Sequence, residues 1–121
     1  MLSLPRSVRI FLATEPTDMR KGHDGLFALV RDFGLDAFSG HLFVFVSKRR
    51  NRLKILTWSA GGFVVLYKRL ERGRFKMPAV AAGQETVRLD ATQLTMLLDG
   101  IDLSRVRRPK LWEPARQVTA G

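Results

Sequence analysis

The sequence predicts an α+β fold: an antiparallel β meander of three to five strands with two principal helices packed against it. Three observations carry that expectation. The middle of the chain alternates apolar, β-branched and aromatic runs with short turn-forming clusters. A stretch on either side of this region repeats its apolar residues at helical spacing. The chain's 121 residues, 45% apolar and 26% charged, suffice for one ordinary core and not for two.

Val8 to Ala13, bounded by Pro5 and by Glu15-Pro16, reads as the first strand. Leu26, Phe27, Leu29, Val30 and Phe33 then fall on one helical face, which predicts a helix over 24–33 with Asp18 or Asp24 as its cap and Gly34 as its stop. Leu42 to Val46 is a continuous apolar run short enough to be a strand covered on both faces. Ser47 to Arg52 breaks it, and Leu53, Ile55 and Thr57 alternate with their neighbours in a second central strand. Ser59 to Gly62 is the next turn, and Phe63 to Leu70 the third apolar stretch. Arg72-Gly73-Arg74 turns the chain again, and Phe75-Lys76-Met77 is expected as a short edge strand closed by Pro78, an edge that could pair with a second copy although Pro78 and Lys76 act against it. After a loop over 79–84, Thr86 to Leu89 is extended. Asp90 and Gln93 have the spacing of a capping box before the apolar face Leu94, Leu97, Leu98 and Ile101. A compact α+β domain is expected over 1–104 and a basic, proline-containing tail over 105–121.

The charge is the unusual feature. Twenty-one Lys and Arg against 11 Asp and Glu give +10, a field that favours a polyanionic partner. Arginine outnumbers lysine 15 to 6, which favours bidentate contact with phosphates and base edges, although genomic GC content also raises arginine usage. Without cysteine there is no disulfide framework, thiolate metal site or cysteine nucleophile. No signal peptide and no membrane span of about 18 apolar residues is apparent, so a cytoplasmic setting is expected.

Two basic clusters stand out. Lys48, Arg49, Arg50, Arg52 and Lys54 surround one turn; Lys68, Arg69, Arg72, Arg74 and Lys76 surround another, with Glu71 the one acid among them. If both turns fall at the same edge of the sheet they form a single basic rim able to hold DNA phosphates or guanine edges; solvated loops of an arginine-rich chain are the plainer explanation. The aromatic residues interleaved with these bases read as core, with Trp58 beside a Gly-Gly turn the best candidate for an exposed base-stacking ring. His23 and His41 lie in no metal-binding spacing. Asp18, Asp24, Asp32 and Asp36 could in principle hold a metal, as a nuclease requires, but caps and solvated positions explain them more simply. No cofactor, no metal and no enzymatic activity are called for.

Four segments together resemble a known family. They are Thr17-Asp18-Met19-Arg20-Lys21-Gly22 with Asp24-Gly25-Leu26; Ser39-Gly40-His41-Leu42-Phe43-Val44-Phe45; Lys68-Arg69-Leu70-Glu71-Arg72-Gly73-Arg74-Phe75; and Gln93-Leu94 with Met96-Leu97-Leu98-Asp99-Gly100-Ile101-Asp102. In this order the chain, over roughly residues 5–112, resembles the TnpB accessory proteins, the second-open-reading-frame products of bacterial insertion-sequence-66 elements. The resemblance implies a partner, a separate and larger transposase, and no established enzymatic activity for this subunit. It gives Asp18, Met19, Arg20, Lys21, Gly22, Glu71 and Gly73 as motif residues without a role. The main functional expectation is non-catalytic DNA binding that assists the transposase; the alternatives are a protein adaptor contacting the transposase through residues such as Leu111 and Trp112 and, behind both, a metal-dependent nuclease using Asp18.

Overall fold

The computed structural model describes residues 7–100, and the expected tail, Leu111, Trp112 and Ile101 lie outside them. The elements are β1 (Ile10–Ala13), α1 (His23–Asp32), a 3-10 turn (Ala37–Ser39), β2 (Leu42–Val46), β3 (Arg52–Ser59), β4 (Gly62–Arg69), β5 (Thr86–Leu89) and α2 (Ala91–Leu98). They form one five-stranded sheet in the order β4-β3-β2-β1-β5.

The expected meander is β2-β3-β4, paired antiparallel from Val46↔Leu53 and Arg52↔Arg69 outward. Its second turn is tight because Ala60 and Gly61 both take positive φ, 49° and 84°, the twist that suits a two-residue hairpin. β1 departs from the meander. It lies parallel to β2, with Ile10 beside Leu42, and antiparallel to β5, with Ile10 beside Leu89. A parallel neighbour needs a crossover connection, and α1 supplies it.

Alternation along the strands sorts the core into two layers. Ile10, Leu12, Leu42, Val44, Val46, Leu53 and Ile55 meet Leu94 and Leu97 of α2 on one face. Ala13, Phe43, Phe45 and Leu56 meet Leu26 and Val30 of α1 on the other. Every residue of β2 is buried, as its unbroken apolar run requires. The α2 capping box forms as expected: the Asp90 carboxylate accepts from the Gln93 N–H at 2.7 Å, and the Gln93 side chain accepts from the Asp90 N–H at 2.9 Å.

Two local expectations are corrected. Neither Asp18 nor Asp24 caps α1, whose N-cap is Gly22 with no side-chain hydrogen bond; Asp18 is engaged elsewhere, and Asp24 sits inside the first turn. Phe75-Lys76-Met77 is not a strand. Phe75 is fully buried in the α2-side core, and its N–H donates to the Arg50 carbonyl. The side chain anchors the segment by burial, so it forms no strand edge; among the described residues the outer strands of the sheet are β4 and β5.

Candidate nucleic-acid interface

Strand directions bring three loops to one end of the sheet. β1, β2 and β4 finish there, β3 and β5 begin there, and α1 starts there. Backbone bonds tie the loops together. Thr17 N–H donates to the Val46 carbonyl at 2.9 Å, Leu70 N–H to the Asn51 carbonyl at 2.8 Å, and Phe75 N–H to the Arg50 carbonyl. Both basic clusters therefore share this end, joined by the Asp18–Gly22 segment of the first loop.

The 47–51 turn is held by its own polar groups. Ser47 N–H donates to the Arg52 carbonyl and Arg50 N–H to the Ser47 carbonyl, each at 2.9 Å, and the Ser47 hydroxyl lies 3.4 Å from Oδ1 of Asn51. Arg50 has φ 60°, a left-handed conformation uncommon for a side chain of this size. That conformation directs its carbonyl to Phe75 and leaves its guanidinium exposed. Gly73, at φ 76°, makes the corresponding left-handed turn in the 70–77 loop.

The expected contact residues divide into two groups. Lys48, Arg49, Arg50, Arg52, Arg72, Arg74 and Lys76 are exposed and make no ion pair or side-chain hydrogen bond with any described residue. The remaining three have partners within the chain. Lys54 is half-buried, with Nζ donating to the Lys21 carbonyl at 2.8 Å and lying 5.3 Å from the centre of the Tyr67 ring. Lys68 Nζ donates to the Leu98 carbonyl at 2.6 Å, where α2 ends. Arg69 lies 3.7 Å from the Glu71 carboxylate.

In the motif loop, Asp18 and Arg20 form a clamp. The Asp18 carboxylate accepts from the Arg20 backbone N–H at 2.9 Å, from Nε at 3.1 Å and from Nη2 at 2.8 Å. These hydrogen bonds hold the Asp18 carboxyl at about 2, below its ordinary value of 3.8, and raise Arg20 in turn. Met19 packs on the α1-side core, and the Lys21 carbonyl receives Lys54. Between this loop and the 47–52 turn lies a cleft of about 370 Å³, lined among others by Thr17, Asp18, Arg20, Lys48, Arg49 and Arg52.

Sequence reasoning gave no structural role to Thr17 or Asn51, whose main chains help join the loops, or to Ser47, which closes the 47–51 turn. The Ser and Asn of a polar break between two apolar runs were its available signal. Trp58 lies at the opposite end of the sheet, half-buried and edge-on to Phe38 and Phe63 at 5.0 and 4.9 Å. It is one wall of an aromatic cluster, with Phe38 its exposed member. Among the described residues no group of three or more His, Asp or Glu could hold a metal ion, and no helix is long and apolar enough to cross a membrane.

Comparison with known proteins gives the class: accessory proteins of transposition, not a known catalytic family. A family model described as "IS66 Orf2 like protein" matches residues 8–108, and the chain belongs to that family. The uncharacterized protein y4jC of Sinorhizobium fredii (strain NBRC 101917 / NGR234) is 36% identical over 117 residues, covering 96% of this chain and 98% of its own length. The uncharacterized protein y4hO of the same strain is 38% identical over 119 residues, with the same coverage. No solved structure matches significantly.

Proposed function

We propose that this protein binds duplex DNA non-catalytically through the basic end of its sheet and thereby assists a separate transposase on the ends of an insertion sequence. One observation carries the reading: backbone hydrogen bonds join the two basic turns and the motif loop, and seven cations there have no side-chain partner among the described residues. Exposed guanidinium and ammonium groups on one rigid frame suit phosphate contact, which fixes position on a duplex without reading sequence. The first turn of α1, uncapped by any side chain, faces the same end and adds the positive pole of its dipole. Lys54 and Lys68 act as braces for the frame, while Lys48, Arg49, Arg50, Arg52, Arg72, Arg74 and Lys76 are the contacts.

Fluorescence anisotropy of a labelled duplex tests this. If about five phosphates are neutralised, log affinity falls against log salt with a slope near −4.5. Absence of binding at low salt, or binding insensitive to salt, contradicts it. Reversing Arg49, Arg50, Arg72 and Arg74 to Glu is expected to abolish DNA binding and spare any complex with the transposase. Retained DNA binding in that variant would reject the proposed contacts, and DNA association seen only with the transposase present would favour the adaptor reading.

A further inference from the structure

Among the described residues, the two outer strands of the sheet differ in how their edges are guarded. β5 is four residues long and carries the exposed Arg88, both ordinary protections against edge-to-edge pairing. β4 has eight residues, Gly62–Arg69, and from Gly62 to Tyr67 it holds no charge and no proline. Its side chains Val64, Leu66 and Tyr67 are 40, 43 and 52% exposed. Along this edge the backbone groups that point away from β3 have no strand among the described residues to pair with.

We propose that the β4 edge is an interface between two copies of this chain, paired antiparallel about a two-fold axis that passes beside Val65. The sequence of the strand is self-complementary in that register. With Val65 opposite Val65, Val64 of one copy faces Leu66 of the other on the α2 side, and Phe63 faces Tyr67 on the α1 side. Opposed residues then share a face of the sheet, so each layer continues across the axis. Lys68 falls opposite Gly62, and Arg69 has no cation across from it. A parallel pairing in register would set Lys68 beside Lys68 and Arg69 beside Arg69, which like-charge repulsion disfavours. The edge offers no charged residue over 62–67 to select an acidic or basic partner strand, whereas a second copy matches it residue by residue.

The arrangement leaves the two basic ends facing opposite directions, so a dimer holds two duplexes rather than gripping one from both sides. That consequence rests on the DNA-contact reading; the pairing does not.

Sedimentation of the full chain without DNA tests the pairing. A concentration-dependent dimer is expected, and it strengthens as salt rises from about 0.1 to about 0.5 M because the +10 chains repel one another. DNA binding responds to salt in the opposite sense, which keeps the two proposals separable. Leu66→Lys is expected to weaken self-association at least about tenfold by spoiling two symmetry-related pairs, with circular dichroism showing an unchanged fold. Because the chain has no cysteine, mild oxidation of a Val65→Cys variant is expected to give a covalent dimer, and of a Val64→Cys variant, whose opposite residue is Leu66, far less. A monomer at all concentrations in high salt, a dimer indifferent to Leu66→Lys, or equal cross-linking at both positions would overturn the proposal.

Discussion

The two ends of the sheet are built from the same five strands and solve different problems. At one end the 14–22, 47–51 and 70–77 loops are held together chiefly by backbone hydrogen bonds, the Lys54 brace and one buried ring, Phe75, which leaves most of the basic side chains pointing outward. At the other, side chains make the structure. Phe27, Phe38, Trp58 and Phe63 pack at 4.9 to 5.7 Å, edge to face except for the tilted Phe38–Phe63 pair, while Nδ1 of His41 accepts the Arg9 N–H at 3.0 Å. An end whose loops are organised by the main chain can carry unpaired charge at little conformational cost. An end organised by side chains has already committed them.

Phe75→Ala should produce the largest effect. Removing a fully buried ring from the joint between the basic loops should lower stability by about 3–5 kcal/mol, read as a shift in the urea midpoint. Phe38→Ala at the far end, where the ring is 52% exposed, should cost roughly 1 kcal/mol or less. Equal losses would mean that Phe75 is not the anchor of its end.

A smaller change separates strain from contact. Glycine at position 50 relieves the left-handed backbone, so Arg50→Gly should stabilise the fold by about 0.5–1 kcal/mol while weakening DNA binding a few-fold by loss of one phosphate contact. A variant both more stable and equally tight would show that Arg50 is present for neither purpose.

The smallest effect belongs to the far end. Burial first, then Arg9 and Arg88, hold the His41 imidazole below its ordinary 6.5. Its folded-state value is depressed, so the unfolded chain takes up this proton more readily. The stability from the neutral ring is therefore complete above about 6.5 and declines as pH falls from there toward the lowered folded value. His41→Asn should flatten that part of the pH profile of the urea midpoint, and an unchanged profile would remove His41 from the account. Asp18 acts lower on the scale: its contribution is complete above 3.8 and lost as pH falls through about 2.

Much of this was legible in the sequence because it depends on local pattern. The buried β2 run, the three-strand meander and the Asp90–Gln93 box each follow from spacing within a few residues. The insertion of β1 parallel to β2 does not: it is decided by where α1 crosses the sheet, and a helix between two strands was the unused clue. Phe75 read as part of an edge strand because a short apolar-basic-apolar triplet alternates equally well when one ring alone is buried. The convergence of the two basic turns was visible as a condition on strand direction, which the register fulfils. What spacing could not show is that Lys54 and Lys68 are occupied, since both partners are main-chain carbonyls distant in sequence, Lys21 and Leu98.

On the proposed function, position and not net charge decides DNA contact. Two variants with the same total charge test it: Arg49→Glu with Arg50→Glu at the basic end, and Arg31→Glu with Arg88→Glu away from it, both titrated against one duplex by anisotropy at about 0.1 M salt. The basic-end pair should lose at least about ten times more affinity than the far pair; equal losses would show that the chain attracts DNA by net charge alone and would contradict the interface described here.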